Sequence, residues 1–80
     1  MNNQEKNEFT QLCRFTIKIA AEVELTDQTN LRENGAADWS LIDLATMVES
    51  EYAITLTADE ALKLDTIGDW ITFIDNRRSN

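Results

Sequence analysis

Over the first third of the chain, a set of mostly apolar residues recurs at steps of three and four positions. This is the spacing of one face of a helix. This face consists of Phe9, Leu12, Cys13, Thr16, Ile19, Ala20 and Val23. Phe15, Ile17 and Ile19 also alternate as in a strand, but the helical spacing covers more positions. We therefore predict an amphipathic helix from about Glu8 to Leu25, with Cys13 as a small core residue.

The following segment, TDQTNLRENGAAD, is polar and rich in residues that favour turns, and it is predicted to be a loop of about a dozen residues. Loops of this length in compact domains usually carry a function or are held by a buried anchor. Leu31 is the one large apolar residue inside it, and we expect Leu31 to attach the loop to the core.

A second helix is predicted to begin at Asp38 or Ser40 and to end at Tyr52. Its apolar face comprises Trp39, Ile42, Leu44, Met47, Val48 and Tyr52. Three acidic residues stay outside this face: Asp43, Glu49 and Glu51. The short apolar link AITL follows.

Two capping boxes mark further helix starts, because Thr is followed three residues later by an acidic residue in TADE (57–60) and in TIGD (66–69). They predict a short helix over 58–64 and a last helix over 67–76, followed by the polar tail RRSN. The apolar face of the last helix holds Ile67, Trp70, Ile71 and Ile74, with Phe73 close to it. The chain is thus predicted to be all-α, one domain over 1–80 with an ordered core over about 8–76, and with three main helices and one short one.

The charge of the chain is strongly acidic, with a net charge of −8 over 80 residues. No Lys or Arg occurs from Glu33 to Leu62. Such a field repels nucleic acid and anionic membranes and attracts basic protein surfaces. The alternative interpretation is a solvated acidic face that only aids solubility.

Several kinds of chemistry lack their residues in this sequence. It contains no His, one Cys and two Gly, which excludes a His base and a Gly-rich phosphate loop and argues against a zinc site. We therefore expect no enzyme activity and no metal. The sequence has no signal peptide and no apolar run of about 20 residues, so we expect no membrane span. The single cysteine is compatible with the reducing cytoplasm, and we expect a complete, free-standing cytoplasmic monomer.

The order of these elements resembles the acyl and peptidyl carrier proteins. From Asp38 to Ile74 the chain follows the pattern of that family without a gap, through LIDLATMVESEY, ITL, TADEALKL and DTIGDWITFI. The resemblance implies a small antiparallel four-helix bundle. It also implies a phosphopantetheine arm on a serine at the start of the second helix, usually in the motif Asp-Ser-Leu. That arm holds acyl or aminoacyl groups as thioesters in fatty acid, polyketide or nonribosomal peptide biosynthesis.

The attachment motif departs from the family pattern in this chain. In the ungapped register Asp38 takes the place of the serine and Trp39 that of the leucine. Read as DWSL, the motif instead places Ser40 before Leu41, as the family serine precedes its leucine. Moving the site from 38 to 40 rotates it by about 200° relative to Tyr52, which favours Asp38 as the equivalent position.

Two hypotheses follow for Ser40. SLID (40–43) can be read as a capping box, which would place Ser40 at the helix start, where a phosphopantetheine attachment site must lie. Ser40 would then carry the arm, and Asp43, Glu49 and Glu51 would dock on basic patches of a phosphopantetheinyl transferase and of loading and synthase enzymes. The alternative is a carrier-like protein that has lost its serine, with Asp38 in its place and Ser40 as a cap, acting only as an acidic interaction module.

Overall fold

The computed structural model describes residues 1–79 and contains four α-helices: α1 (Asn3–Ile17), α2 (Asp38–Tyr52), α3 (Ala58–Leu62) and α4 (Ile67–Arg78). Within these residues the only extended pairing is an isolated antiparallel bridge between Asn30 and Thr66. The prediction of an all-α chain with three main helices and one short helix is confirmed. Asn80, the last residue of the predicted polar tail, lies outside the described residues.

Helix α1 begins and ends earlier than the predicted range of Glu8 to Leu25. It begins at Asn3 because Asn2 and Glu5 form a capping box: the Asn2 side chain accepts the Glu5 N–H at 2.8 Å, and the Glu5 carboxylate accepts the Asn2 N–H at 3.3 Å. It ends at Ile17 because Lys18 adopts the left-handed conformation, with φ of 64°. The apolar spacing continued beyond a helix end that no Gly or Pro marks.

The segment after α1 is an ordered loop rather than helix. The Arg14 guanidinium donates to the carbonyl oxygens of Ala20 and Val23, the latter at 2.9 Å, and these bonds hold the loop against the end of α1. Ile19 is nevertheless buried. The helical spacing therefore identified Ile19 as a core residue correctly, although its backbone is not helical.

Leu31 anchors the next loop, as predicted. Its side chain is fully buried, and its N–H donates to the Asp65 carbonyl at 3.0 Å. A 3-10 turn, Arg32–Asn34, follows it and leads to the start of α2. This loop is also fixed to the start of α4, where the Gly68 N–H donates to the Asp27 carbonyl at 2.8 Å.

The last two helices begin at the predicted capping boxes. The Thr57 hydroxyl accepts the Glu60 N–H and the Thr66 hydroxyl accepts the Asp69 N–H, and both reciprocal bonds are present. Helix α3 is shorter than predicted, and α4 extends past 76 to Arg78. Arg77 ties the two helices together, because its guanidinium donates to the Thr55 carbonyl at 3.0 Å and pairs with Glu60 at 2.5 Å.

The core receives residues from all four helices. Its most completely buried large side chains are Trp70, Phe9, Leu31, Leu41, Leu44, Leu56, Ile67 and Ile74. The four predicted core positions of α4 are all buried. Cys13 is buried too, which raises the pKa of its thiol to about 12 and leaves it a packing residue.

The predicted apolar face of α2 was partly wrong. Its buried face is Leu41, Leu44, Ala45 and Val48, joined by Ser40. Trp39, Ile42 and Met47, which the prediction placed inward, are exposed. Small Ala45 and Ser40 occupy inward positions that the pattern of large apolar residues could not indicate.

Candidate functional site

The start of α2 is built around Asp38. Ala37 precedes it in extended conformation and has no side chain that can cap the helix. The Asp38 side chain is 67% exposed and accepts a hydrogen bond from Arg32 at 2.7 Å. A carboxylate in the first turn also interacts favourably with the helix dipole. Asp38 therefore supplies the negative charge that this helix start favours.

Ser40 is the third residue of α2 and faces inward. Its residue surface is only 4% exposed, and its hydroxyl accepts the Ala37 N–H at 3.3 Å. The predicted capping box of Ser40 with Asp43 is wrong, because α2 begins two residues before Ser40. Ser40 instead takes the position that Glu or Gln occupies in an ordinary capping box.

The helix boundaries agree with the ungapped register of the resemblance. α2 begins at Asp38 and ends at Tyr52, which are the bounds that the ungapped register expects. A carboxylate cannot form the phosphodiester, and the hydroxyl at position 40 is covered. The residues at the start of α2 thus do not fit a phosphopantetheine arm in this conformation.

The two flanking residues of the motif have opposite environments. Trp39 is 66% exposed, whereas Leu41 is fully buried. Leu41 is therefore a core residue of α2, and Trp39 projects from the helix surface next to Asp38.

The three acidic residues predicted to form a docking face point in different directions. At 100° per residue, Glu49 and Glu51 lie roughly 120° and 80° around the helix from Asp43, on opposite sides of it. The half-buried Glu49 carboxylate accepts the Leu56 N–H at 3.2 Å and so holds the link to α3. Asp43 is the one of the three that lies beside Trp39 on the outer face.

Two open cavities lie along the surface groove between α1 and α2, which is called the α1–α2 seam below. The apolar cavity, of about 600 Å³, is lined by Phe15, Thr16, Lys18, Trp39, Asp43, Thr46 and Met47. The acidic cavity, of about 560 Å³, is lined by Glu5, Glu8, Gln11, Leu12, Phe15, Glu51, Tyr52, Ala53 and Arg78. Phe15 is a wall of both. Phe15 lies outside the predicted core face of the first helix, and an apolar residue at such a position is a sequence signal of an exposed contact residue.

The electrostatics of the acidic cavity are negative. Burial raises the pKa of Tyr52, and the charges of Glu51, Glu8 and Glu5 raise it further. The pKa of Glu5 is lowered, first by the Asn2 N–H and then by Arg78, which pairs with it at 3.1 Å. The same guanidinium lies 5.5 Å from the centre of the Tyr52 ring.

Residues 1–79 contain no cluster of side chains that could hold a metal ion. None of the four helices is long and apolar enough to cross a membrane.

Comparison with solved structures identifies the fold. An acyl carrier protein from Thermotoga maritima superposes with a TM-score of 0.76 at 18% identity, over 99% of this chain and 96% of that one. A chain in the structure of the ishigamide ketosynthase/chain length factor superposes with a TM-score of 0.77 at 19% identity, over 98% of this chain and 99% of that one. The sequence matches no family model. The chain therefore has the acyl carrier protein fold, which confirms the fold that the resemblance implied.

Proposed function

We propose that this protein is a non-catalytic interaction module with the carrier protein fold, which docks on partner enzymes without a phosphopantetheine arm of its own. The observation that carries this proposal is the start of α2. An exposed Asp38 is its first residue, and the nearest hydroxyl, that of Ser40, is buried within its first turn.

The proposed partners are synthase enzymes with basic surfaces, working in the cytoplasm. The structure that names a ketosynthase/chain length factor contains a chain of this fold, which supports this class of enzyme. The charge supports it as well, because no Lys or Arg interrupts residues 33–62 and the net charge is −8. Complementary charge mainly raises the rate of association. On α2 the proposed docking residues are the exposed Asp38, Trp39, Asp43 and Glu51.

The second candidate is a carrier that holds thioester-bound acyl or aminoacyl groups on a phosphopantetheine arm at Ser40. One observation favours it: Ser40 is the single hydroxyl residue in the first turn of α2. Modification would require this turn to open, so that the Ser40 hydroxyl leaves the Ala37 N–H and becomes accessible to a transferase. The pair of Arg32 and Asp38 opposes that opening.

The two candidates are separated by intact mass after incubation with coenzyme A, magnesium and a broad-specificity phosphopantetheinyl transferase. Four proteins are compared: the natural sequence, Asp38→Ser, Ser40→Ala and the double variant. We expect the natural sequence to remain unmodified, and both proteins with serine at position 38 to gain one phosphopantetheine, located at 38 by fragmentation.

An adduct on the natural sequence that disappears in Ser40→Ala would overturn the proposal in favour of the armed carrier. If Asp38→Ser is folded and still unmodified, position 38 is not the equivalent of the family serine. Circular dichroism of each variant is the control for folding.

A further inference from the structure

The exposed large apolar side chains of this protein concentrate on one side. Four such side chains are exposed among residues 1–79, and three of them, Phe15, Trp39 and Met47, line the apolar cavity. Phe15 is 75% exposed and Trp39 is 66% exposed. Trp, Phe and Met are enriched at protein interfaces, and Trp is among the residues that most often dominate their binding energy. The seam between α1 and α2 therefore has the character of an interface.

The neighbouring acidic cavity favours an occupant with positive charge. Glu8 and Glu51 line it and form no ion pair within residues 1–79. Arg78 already places a guanidinium against Tyr52 and Glu5 there, which shows that the cavity accommodates a basic side chain. A second basic group would find Glu8 and Glu51 available.

The order of residues along α1 gives the seam a direction. Glu8 and Phe15 lie about two turns apart on α1, roughly 10 Å along its axis, and Lys18 directly follows the helix end. At the apolar cavity Lys18 and Asp43 carry opposite charges, whereas the acidic cavity at the other end is lined by Glu5, Glu8 and Glu51 with Arg78 as its one cation. A complementary segment therefore carries most of its basic residues at the end that meets Glu8 and Glu51.

We propose that the α1–α2 seam binds a basic amphipathic helix of a partner protein. One large apolar side chain of that helix enters the apolar cavity between Phe15, Trp39 and Met47. Lys or Arg residues about two to three turns away pair with Glu8 and Glu51. This inference rests on the proposed function for the statement that the protein is an interaction module, and it does not depend on whether an arm is present.

A second copy of this chain is a poorer occupant of the seam. Each chain carries a net charge of −8, so self-association brings two strongly acidic surfaces together. Anionic lipid is disfavoured for the same reason. A basic segment gains from the charge that opposes both alternatives.

The proposal is tested with a synthetic 14-residue peptide of Leu and Lys, with Leu at helical spacing and Lys concentrated in one half. Its affinity is measured by calorimetry, and its site by amide chemical shifts of the ¹⁵N-labelled protein. We expect the largest shifts at residues 8–18, at Glu51, and at Trp39 and Met47. A peptide of the same composition without helical spacing is expected to bind at least about tenfold more weakly.

Three variants locate the binding energy. Phe15→Ala is expected to weaken binding about tenfold or more, as loss of an interface anchor does. The double variant Glu8→Gln/Glu51→Gln should weaken it about tenfold and flatten its salt dependence. Glu22→Gln/Glu24→Gln removes the same charge from exposed positions that line neither cavity and should change affinity less than about threefold.

Equal weakening by both glutamine pairs would mean non-specific attraction and would overturn the proposal. So would shifts confined to the side of α2 that faces α3, or dimerisation in sedimentation that Phe15→Ala abolishes. The peptide is also titrated into Asp38→Ser bearing an arm. Unchanged peptide affinity in that protein would show that binding at the seam is independent of the arm, so the two proposals can fail separately.

Discussion

At the scale of single residues, the two glycines are required for different physical reasons. Gly35 has a φ of +104°, which side chains rarely adopt, but a Cβ there would meet no atom within 4 Å. At Gly68 an added Cβ would lie 2.8 Å from the Asp27 carbonyl oxygen and 3.3 Å from the Asp27 Cβ. One glycine serves a turn, and the other permits the long loop to approach the start of α4.

We expect Gly68→Ala to lower the free energy of unfolding by about 1–3 kcal/mol, because the loop must move away to accommodate the methyl group. Gly35→Ala should cost about 1–2 kcal/mol from backbone strain alone. Urea titrations followed by circular dichroism measure both. Amide shifts at Asp27 distinguish them, since only Gly68→Ala should displace that residue; an unmoved Asp27 would contradict the steric explanation.

Glu60 gives a prediction for acid stability. Its pKa is lowered from 4.5, first by the Thr57 N–H and then by Arg77. A lowered pKa in the folded state stabilises the protein above pH 4.5 and loses that effect as the pH falls through the folded-state value. Glu60→Gln should therefore be less stable than the natural protein at neutral pH. The difference should shrink on acidification below pH 4.5, as measured by urea unfolding at several pH values; a constant difference would refute the linkage.

At the scale of elements, the sequence predicted where helices exist better than where they end. The Thr57 and Thr66 boxes placed two helix starts because both partners of each box are local. The end of α1 could not be predicted, since Lys18 takes a left-handed conformation that glycine usually supplies. The start of α2 was left open between Asp38 and Ser40, because Ala37 offers no capping side chain and SLID resembles a capping box. The ungapped register favoured Asp38, which is where α2 begins.

Ala53 allows the free-energy cost of a left-handed helix end without glycine to be measured. It terminates α2 with a φ of 54°, in the left-handed region. Ala53→Gly should raise the free energy of unfolding by about 0.5–1 kcal/mol, because glycine adopts this conformation without strain. Ala58→Gly, at the first position of α3, is the control and should not stabilise the protein. Thermal and urea unfolding give both values; equal effects at the two sites would contradict the role of the left-handed conformation.

At the scale of the whole molecule, charge and surface apolarity together define what the protein can bind. The fold follows from a core that the spacing of apolar residues largely predicted. The same spacing does not predict which apolar side chains are exposed. Trp39, Met47 and Phe15 are large apolar residues of the kind usually found in a core, yet they lie on the surface. Only the packing of α1 against α2 shows that these three share one cavity.

The net charge of −8 should make stability depend on salt. We expect the melting temperature to rise between about 10 mM and 500 mM NaCl, because screening weakens the repulsion between carboxylates. A variant with Glu22→Lys and Glu24→Lys reduces the negative net charge from −8 to −4 and should show a smaller rise. A melting temperature that falls with salt would mean that the surface ion pairs outweigh the repulsion.

The contrast between the two tryptophans has a spectroscopic consequence. Trp70 is fully buried, and its ring centre lies 6.3 Å from that of Phe9. Its indole N–H has no hydrogen-bond partner within residues 1–79. Trp39, by contrast, is exposed to solvent at the α1–α2 seam. Trp70 should emit at short wavelength and resist acrylamide quenching, whereas Trp39 should emit near 350 nm, roughly as a solvated indole does. Acrylamide quenching therefore separates the fluorescence of Trp70 from that of Trp39. In Trp39→Phe the remaining tryptophan fluorescence comes from Trp70 alone and reports unfolding of the core without an added label.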